Sequence, residues 1–259
     1  SYLPYSHIFE RTAGYYLPFF AGSKIYYAQS IDTIALQMTE VKPTIVITVP
    51  RLLDKIYNKL MKTAAEMEEG YKKKIFNWGI GVARTHWNNK NSIKWKLANK
   101  LVFTKIREKT GGRLNLFCSG GGALNRTVGE FFEGIGIVTL EGYGLTETSP
   151  VVSVNRMRKN KYGTVGPPMR GVQVKIADDG EILVKGDIVM KGYFNQPEET
   201  AEAIIDGWFH TGDIGEIDAD GFLKITDRKK SLFKSSGGKY IAPTHIEELV
   251  SSLPYVDQI

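Results

Sequence analysis

Glu141–Pro150 reads EGYGLTETSP and directly follows the apolar run Ile137-Val138-Thr139-Leu140. The run has the length and β-branching of a short buried strand, so the polar residues after it fall at a strand end, where open α/β sheets bind their ligands. Glu141, Gly142, Tyr143 and Gly144 open the stretch, and the two glycines let the backbone come close to a ligand. Thr146 adds a hydroxyl, and Glu147 a hard oxygen suited to Mg²⁺ beside phosphate. By composition alone the same ten residues also read as a polar turn.

Upstream, Asn115–Ser119 reads as a strand running into Gly120-Gly121-Gly122. A helix with apolar positions Val128, Phe131, Phe132 and Ile135 follows, capped near Asn125. Strand, glycine loop and helix suit a nucleotide, although the spacing matches neither the dinucleotide fingerprint nor the phosphate loop with its Lys-Ser/Thr. Earlier still, Lys24–Tyr27 reads as a strand, Ile34, Ala35, Met38 and Val41 as one helix face, and Thr44–Val49 as a buried strand ending at Pro50. The alternation predicts an α/β fold. His7, in LPYSHIFERT, lies outside any periodic segment and by itself reads as a loop or core histidine satisfied by backbone.

A helical insertion is predicted over about residues 52–110, with faces at Leu53, Ile56, Tyr57, Leu60, Met61 and Ala64, then at Ile75, Trp78, Gly79 and Val82, then at Ala98, Leu101, Val102 and Ile106. Residues 71–109 hold eleven Lys or Arg against Glu108 alone, a local +10 in a chain of net +6. The lysines interleave with Trp78, Trp87 and Trp95. That pattern fits a solvated helix face, or contact with an anionic membrane surface; no recognition motif accompanies it that would point to nucleic acid.

After about Tyr162 the texture changes to β-hairpins: Val172–Ile176 with Glu181–Lys185 around Asp178-Asp179-Gly180, and Ile214–Asp218 with Phe222–Thr226. One helix, opened by Pro197 and running through Ile204, interrupts them. Residues 163–226 are expected to form a small β-rich subdomain after the α/β part at 1–162. The polar run Asp227-Arg228-Lys229-Lys230 closes it, and 227–259 reads as the start of a further small α+β domain, with a helix opening at Pro243.

At 259 residues and 42% hydrophobic content the chain has ample core. Its single cysteine, Cys118, sits in an apolar run and reads as core; a reducing compartment, the cytoplasm, is the matching expectation. Neither a signal peptide nor an apolar run of spanning length is present. The opening Ser1-Tyr2-Leu3-Pro4, without methionine, suggests a piece of a longer protein.

Six ordered stretches together are far more specific than any one of them: CSGGGALN at 118–125, YGLTET at 143–148, YGTVGPP at 162–168, GEILVKGDIVMKGYFNQPEET at 180–200, GWFHTGDIGEID at 207–218 and GFLKITDRKKSLFKSSGGKYIAP at 221–243. In order and spacing they resemble the adenylate-forming superfamily of acyl-CoA synthetases, adenylation domains and luciferases. LPYSHIFERT and the helical insertion are most similar to its long-chain fatty acyl-CoA synthetase branch.

The resemblance implies activation of a fatty acid by ATP to an acyl-adenylate, with Mg²⁺, followed by transfer to coenzyme A and release of AMP and pyrophosphate. It places Thr146 on the α-phosphate, Glu147 on Mg²⁺, Tyr143 against adenine, and Gly120, Gly121 and Gly122 along the purine. Asp213 takes the ribose hydroxyls with Arg228 as a second ribose contact, and Asp227 is the hinge of the mobile C-terminal domain. Lys234 faces the site in one of two conformations, Gly237 borders the pantetheine arm, and His7 lies near the junction of acyl pocket and thiol channel. Ser231 and Phe233 depart from the usual Asp and Ile around Lys234. The family's phosphate loop and its C-terminal catalytic lysine have no counterpart here, so the chain alone is expected to be inactive. Two alternatives stay open: another acid loaded onto a carrier protein, and a non-catalytic nucleotide-binding scaffold. Acyl length and oligomeric state are not legible.

Overall fold

The computed structural model describes residues 1–229, the backbone of 233–234 and 240–241, and residue 250. The chain divides into two compact units, Ser1–Glu141 and Gly142–Ile259.

In the first unit a π-helical run, Glu10–Tyr16, continues into α1 (Leu17–Phe20), and α2 (Ile34–Val41) precedes β1 (Ile45–Thr48). Then come α3 (Pro50–Glu66), α4 (Tyr71–Thr85), α5 (Ile93–Ala98), a π-helical stretch Asn99–Phe103 and α6 (Thr104–Glu108). β2 (Leu116–Ser119), α7 (Arg126–Gly134) and the start of β3 (Val138–Gly144) complete the unit. β1, β2 and β3 are parallel neighbours, with Ile45 opposite Leu116 and Leu116 opposite Val138. Parallel pairing demands a crossover, and α7 supplies it between β2 and β3. Asn125 caps α7, its side-chain oxygen accepting from the Thr127 amide at 2.9 Å. The core closes on Phe117, Phe131 and Phe132, which meet edge to face at centroid distances of 5.3 and 5.7 Å.

Two expectations fail here. Lys24–Tyr27 forms no strand, because no described strand supplies a ladder beside it. Thr44–Val49 is not buried throughout, because β1 is the edge of its sheet and Ile45 is 55% exposed.

The insertion is helical as expected. α4 and the helix over 93–108 pack so closely that a Cβ on Gly79 would lie 2.7 Å from Val102 Cγ2. Gly79, Ile80, Val82 and Ala83 are buried, whereas Tyr71, Ile75 and Trp78, at helical spacing on another face, are 71%, 38% and 37% exposed. Ile93, Leu97 and Leu101 are likewise exposed, with Lys94, Lys96, Lys100 and Lys105 around them. Among the described residues no helix is long and apolar enough to cross a membrane.

In the second unit the tail of β3 pairs antiparallel with β4 (Val151–Val154), Tyr143 opposite Ser153. β5 (Gln173–Ile176), β6 (Glu181–Lys185), β7 (Ile204–Ile205), β8 (Trp208–Ile217) and β9 (Leu223–Arg228) form an antiparallel sheet in the order β5-β6-β8-β7, with β9 on β8. α8 (Pro197–Ala203) stands between β6 and β7, and β10 (Phe233–Lys234) pairs with β11 (Tyr240–Ile241). Both predicted hairpins form. In the second, Asp218 Oδ1 accepts from the amides of Asp220 and Phe222, each at 2.9 Å, closing an Asx-type turn. Val152, Val165, Ile182, Val184 and Leu223 make this unit's core. The helix expected from Pro243 lies outside the described residues.

Cys118 is half-buried in β2, and burial pushes its thiol up to about 11. At pH 8 the native chain should therefore react with Ellman's reagent on the order of a hundredfold more slowly than in denaturant, since only the thiolate attacks. The unfolded chain ionises first as pH rises, so stability falls between the ordinary thiol value of about 8.5 and about 11, and is unaffected below. Equal rates in native and denaturing buffer would contradict this.

Candidate functional site

In the first unit the glycine loop follows β2 directly. Gly121 has φ +76, a conformation that side chains resist, and a Cβ on Gly120 would press on the Phe9 ring at 3.1–3.3 Å. A Cβ on Gly121 or Gly122 would meet only Val49 or Pro50, at 3.8–3.9 Å. Glu141 is buried, and its Oε1 accepts from the Leu124 amide at 2.8 Å, tying β3 to the chain just after the glycines. That contact anchors the loop to the strand. Immediately before the loop, the buried Ser119 hydroxyl has no hydrogen-bond partner among the described residues. Sequence reasoning passed over Ser119; its place next to the glycines was the available signal. His7 is exposed, and its Nδ1 accepts from the Phe9 amide at 3.2 Å, so a neutral ring carries its proton on Nε2.

In the second unit the motif is not a turn from its start, because Gly142–Gly144 continue β3 as strand. Only Thr146–Thr148 turn, as one 3₁₀ turn. Its two threonines differ. Thr148 is buried and donates to the Pro150 carbonyl at 2.6 Å, so it closes the turn. Thr146 is exposed and available to a ligand. Glu147 is half-exposed and accepts at 3.0 Å from the Tyr193 hydroxyl, a partner the sequence did not single out.

Tyr143 donates to Asp213 Oδ2 at 2.6 Å, and Arg228 Nε lies 3.3 Å from Asp213 Oδ1. The register explains the second contact: Asp213 and Arg228 are direct partners across β8 and β9. Asp213 is only 5% exposed, whereas the Arg228 side chain is 75% exposed and reaches outward. Burial raises the Asp213 carboxyl above its ordinary value, against the opposing pull of Tyr143 and Arg228. Burial and the neighbouring carboxylate together push the Tyr143 phenol up. A carboxylate has about four acceptor directions, so Asp213 retains capacity for two hydroxyls after these contacts.

Asp227 is buried in β9, where its Oδ1 accepts from the Arg228 amide at 2.6 Å. Lys234 contributes backbone to β10, opposite Tyr240; its side chain lies outside the described residues, as does Gly237. Among the described residues no three His, Cys, Asp or Glu side chains gather to hold a metal. A lone carboxylate such as Glu147 suits Mg²⁺, which takes one or two protein oxygens and completes its shell with phosphate and water.

Comparison with known proteins supplies an independent line. The family model described as AMP-binding enzyme matches residues 1–194. The long-chain-fatty-acid–CoA ligase FadD15 of Mycobacterium bovis is 36% identical over 99% of this chain and 44% of its own length. Long chain acyl-CoA synthetase 3 of Arabidopsis thaliana is 33% identical over all of this chain and 41% of its own. The chain thus spans less than half the length of these relatives. Among solved structures, O-succinylbenzoate coenzyme A synthetase from Bacillus subtilis, in complex with ATP and magnesium ion, matches with a TM-score of 0.67 at 23% identity, over 100% of this chain and 47% of that one. That likeness speaks for the fold.

Proposed function

The chain belongs to the AMP-binding enzyme family, and on that premise we propose that it is the nucleotide-binding portion of an AMP-forming ligase that activates a long-chain fatty acid for transfer to coenzyme A. The observation that supports the reading is the buried Asp213, held by Tyr143 and Arg228 and left with acceptor capacity for a diol. The long-chain assignment draws on the names of the relatives at 36% and 33% identity.

A carboxylate is a poor acyl donor until its oxygen becomes a good leaving group, and AMP supplies that. In the proposed reaction Thr146 donates to the α-phosphate as charge builds there, a contribution that mutagenesis puts at roughly 3–4 kcal/mol for one well-placed donor. Glu147 would hold Mg²⁺, which when bound offsets phosphate charge. Tyr143 offers its ring to adenine, and Gly120, Gly121 and Gly122 are the glycines that the family pattern assigns to a purine. Asp213 and Arg228 orient the ribose. Asp227 serves as the hinge between half-reactions, Lys234 and Gly237 belong to the domain that turns about it, and His7 stands beside the thiol channel.

The test is ATP–pyrophosphate exchange with palmitate, run on this chain and on the full-length gene product. Long-chain-dependent exchange is expected from the full-length product and none from the 259-residue chain. Exchange by the short chain, or by no acid at all in the full-length product, would overturn the reading.

We further propose that this cytoplasmic ligase meets an anionic membrane through the exposed Tyr71, Ile75 and Trp78 face, with the surrounding lysines as electrostatic attraction. Co-sedimentation should be at least about tenfold greater with phosphatidylglycerol than with phosphatidylcholine vesicles, and should fall in 0.5 M salt, where screening is nearly complete. Binding indifferent to lipid charge and salt would remove this role.

A further inference from the structure

Glu181 is 5% exposed, and three donors converge on its carboxylate. Oε1 accepts from the Gly212 amide at 2.8 Å; Oε2 accepts from Lys229 Nζ at 2.9 Å and lies 3.1 Å from His210 Nδ1. Lys229 also reaches Asp179 at 2.7 Å. Gly212 immediately precedes Asp213, and Lys229 immediately follows Arg228. One buried carboxylate therefore grips the neighbour of each member of the Asp213–Arg228 pair. Gly212, at φ +71, is where β8 turns its amide inward to reach that carboxylate. The Thr211 hydroxyl completes the arrangement: it donates to the Ile182 carbonyl at 2.8 Å and accepts from the Asp213 amide at 3.1 Å.

Stability alone gives little reason for such a residue. A buried carboxylate loses hydration that its partners only partly return, and an apolar side chain would fill the space at less cost. What the carboxylate adds is direction, since hydrogen bonds to three different chain positions fix them relative to one another.

We propose that Glu181 is a positioning residue for ribose recognition, setting Asp213 through the Gly212 amide and Arg228 through Lys229. The proposal rests on the nucleotide reading above. It predicts an effect confined to the ribose: a nucleotide lacking the diol should not sense Glu181.

The experiment is calorimetric titration of the 259-residue chain with AMP and with 2′,3′-dideoxy-AMP, for wild type, Glu181→Gln and Lys229→Met. Wild type should prefer AMP. Glu181→Gln should weaken AMP about tenfold, the scale of one charge-assisted hydrogen bond, while leaving the dideoxy nucleotide within about twofold. Lys229→Met, which removes one donor and leaves the fold's carboxylate in place, should weaken AMP about threefold with the same selectivity. Equal loss for both nucleotides, or no loss for either, would overturn the role of Glu181 while a wild-type preference for AMP preserves the ribose site. If wild type does not distinguish the two nucleotides, the ribose assignment fails and this proposal with it.

Discussion

Asp213→Asn lowers the affinity of the chain for AMP by ten- to a hundredfold, the expected loss of a hydrogen bond to a charged acceptor at about 1.5–3 kcal/mol. The same substitution should leave thermal stability at neutral pH unchanged or slightly raised. Burial lifts the Asp213 carboxyl above its ordinary value, so the folded chain holds that proton more tightly than the unfolded one. As pH rises past the ordinary carboxylate value the unfolded chain ionises first, and the fold loses stability until the raised value is passed. The carboxamide carries no such penalty. AMP binding should show the opposite trend in wild type, strengthening as pH rises through the raised value and the carboxylate becomes a full acceptor. Calorimetry for affinity and a thermal melt for stability separate the two. An Asn variant that loses stability and affinity together would mark Asp213 as structural.

Gly144→Ala should act on the fold itself. A Cβ at residue 144 would stand 1.8 Å from the Pro150 carbonyl oxygen, and the nearest atoms are backbone that cannot rotate away. The close approach is built in, because the Leu145 amide donates to that same carbonyl at 3.1 Å and shuts the loop between β3 and β4. A new methyl forced into a packed site costs roughly 1–3 kcal/mol where neighbours can give, so about 3 kcal/mol is the expected loss here. For a chain of this size that corresponds to a melting temperature lower by roughly 6–12 °C. A melt within about 2 °C of wild type would show that β3 and β4 are looser than this geometry requires.

That glycine shows what the sequence could and could not convey. Its freedom was read as room for a ligand, whereas residue 144 uses it to let two backbone segments touch. Where side-chain period and turn chemistry decide the outcome, the reading held: the Asn125 cap, the helix opened by Pro197, and the hairpin joining Ile214 to Thr226 all formed. Strand pairing was harder, because an extended run becomes a strand only when a partner lies beside it. Lys24–Tyr27 has the composition, and Ser1 donates to its Tyr26 carbonyl, but among the described residues no strand runs beside it.

The site followed the same rule. Residues carried by a motif, such as Thr146 and Asp213, could be named from sequence as candidates, and for Asp213 the structure adds its partners, Tyr143 and Arg228. Their supports were not, because a support is defined by proximity in the fold and not along the chain: Tyr193 is 46 positions from Glu147, and Glu181 is 31 from Gly212. Tyr143 was proposed from the motif as an aromatic face, whereas its hydroxyl bond to Asp213, 70 positions away, is a tertiary contact that no local pattern announces.

β1 carries one more consequence. It pairs with β2 on one side, and no described strand pairs with the other. Its sequence, Ile45-Val46-Ile47-Thr48, is uncharged and β-branched. A strand edge of such side chains is a template on which another chain can add a strand where the edge is exposed, as it is at Ile45, and nearby charge is what usually discourages it. Lys42 stands three residues before the strand and Arg51 three after it, flanking the edge without sitting on it. Ile45→Lys is therefore expected to lower any concentration-dependent light scattering by the chain, and scattering unchanged by it would clear this edge.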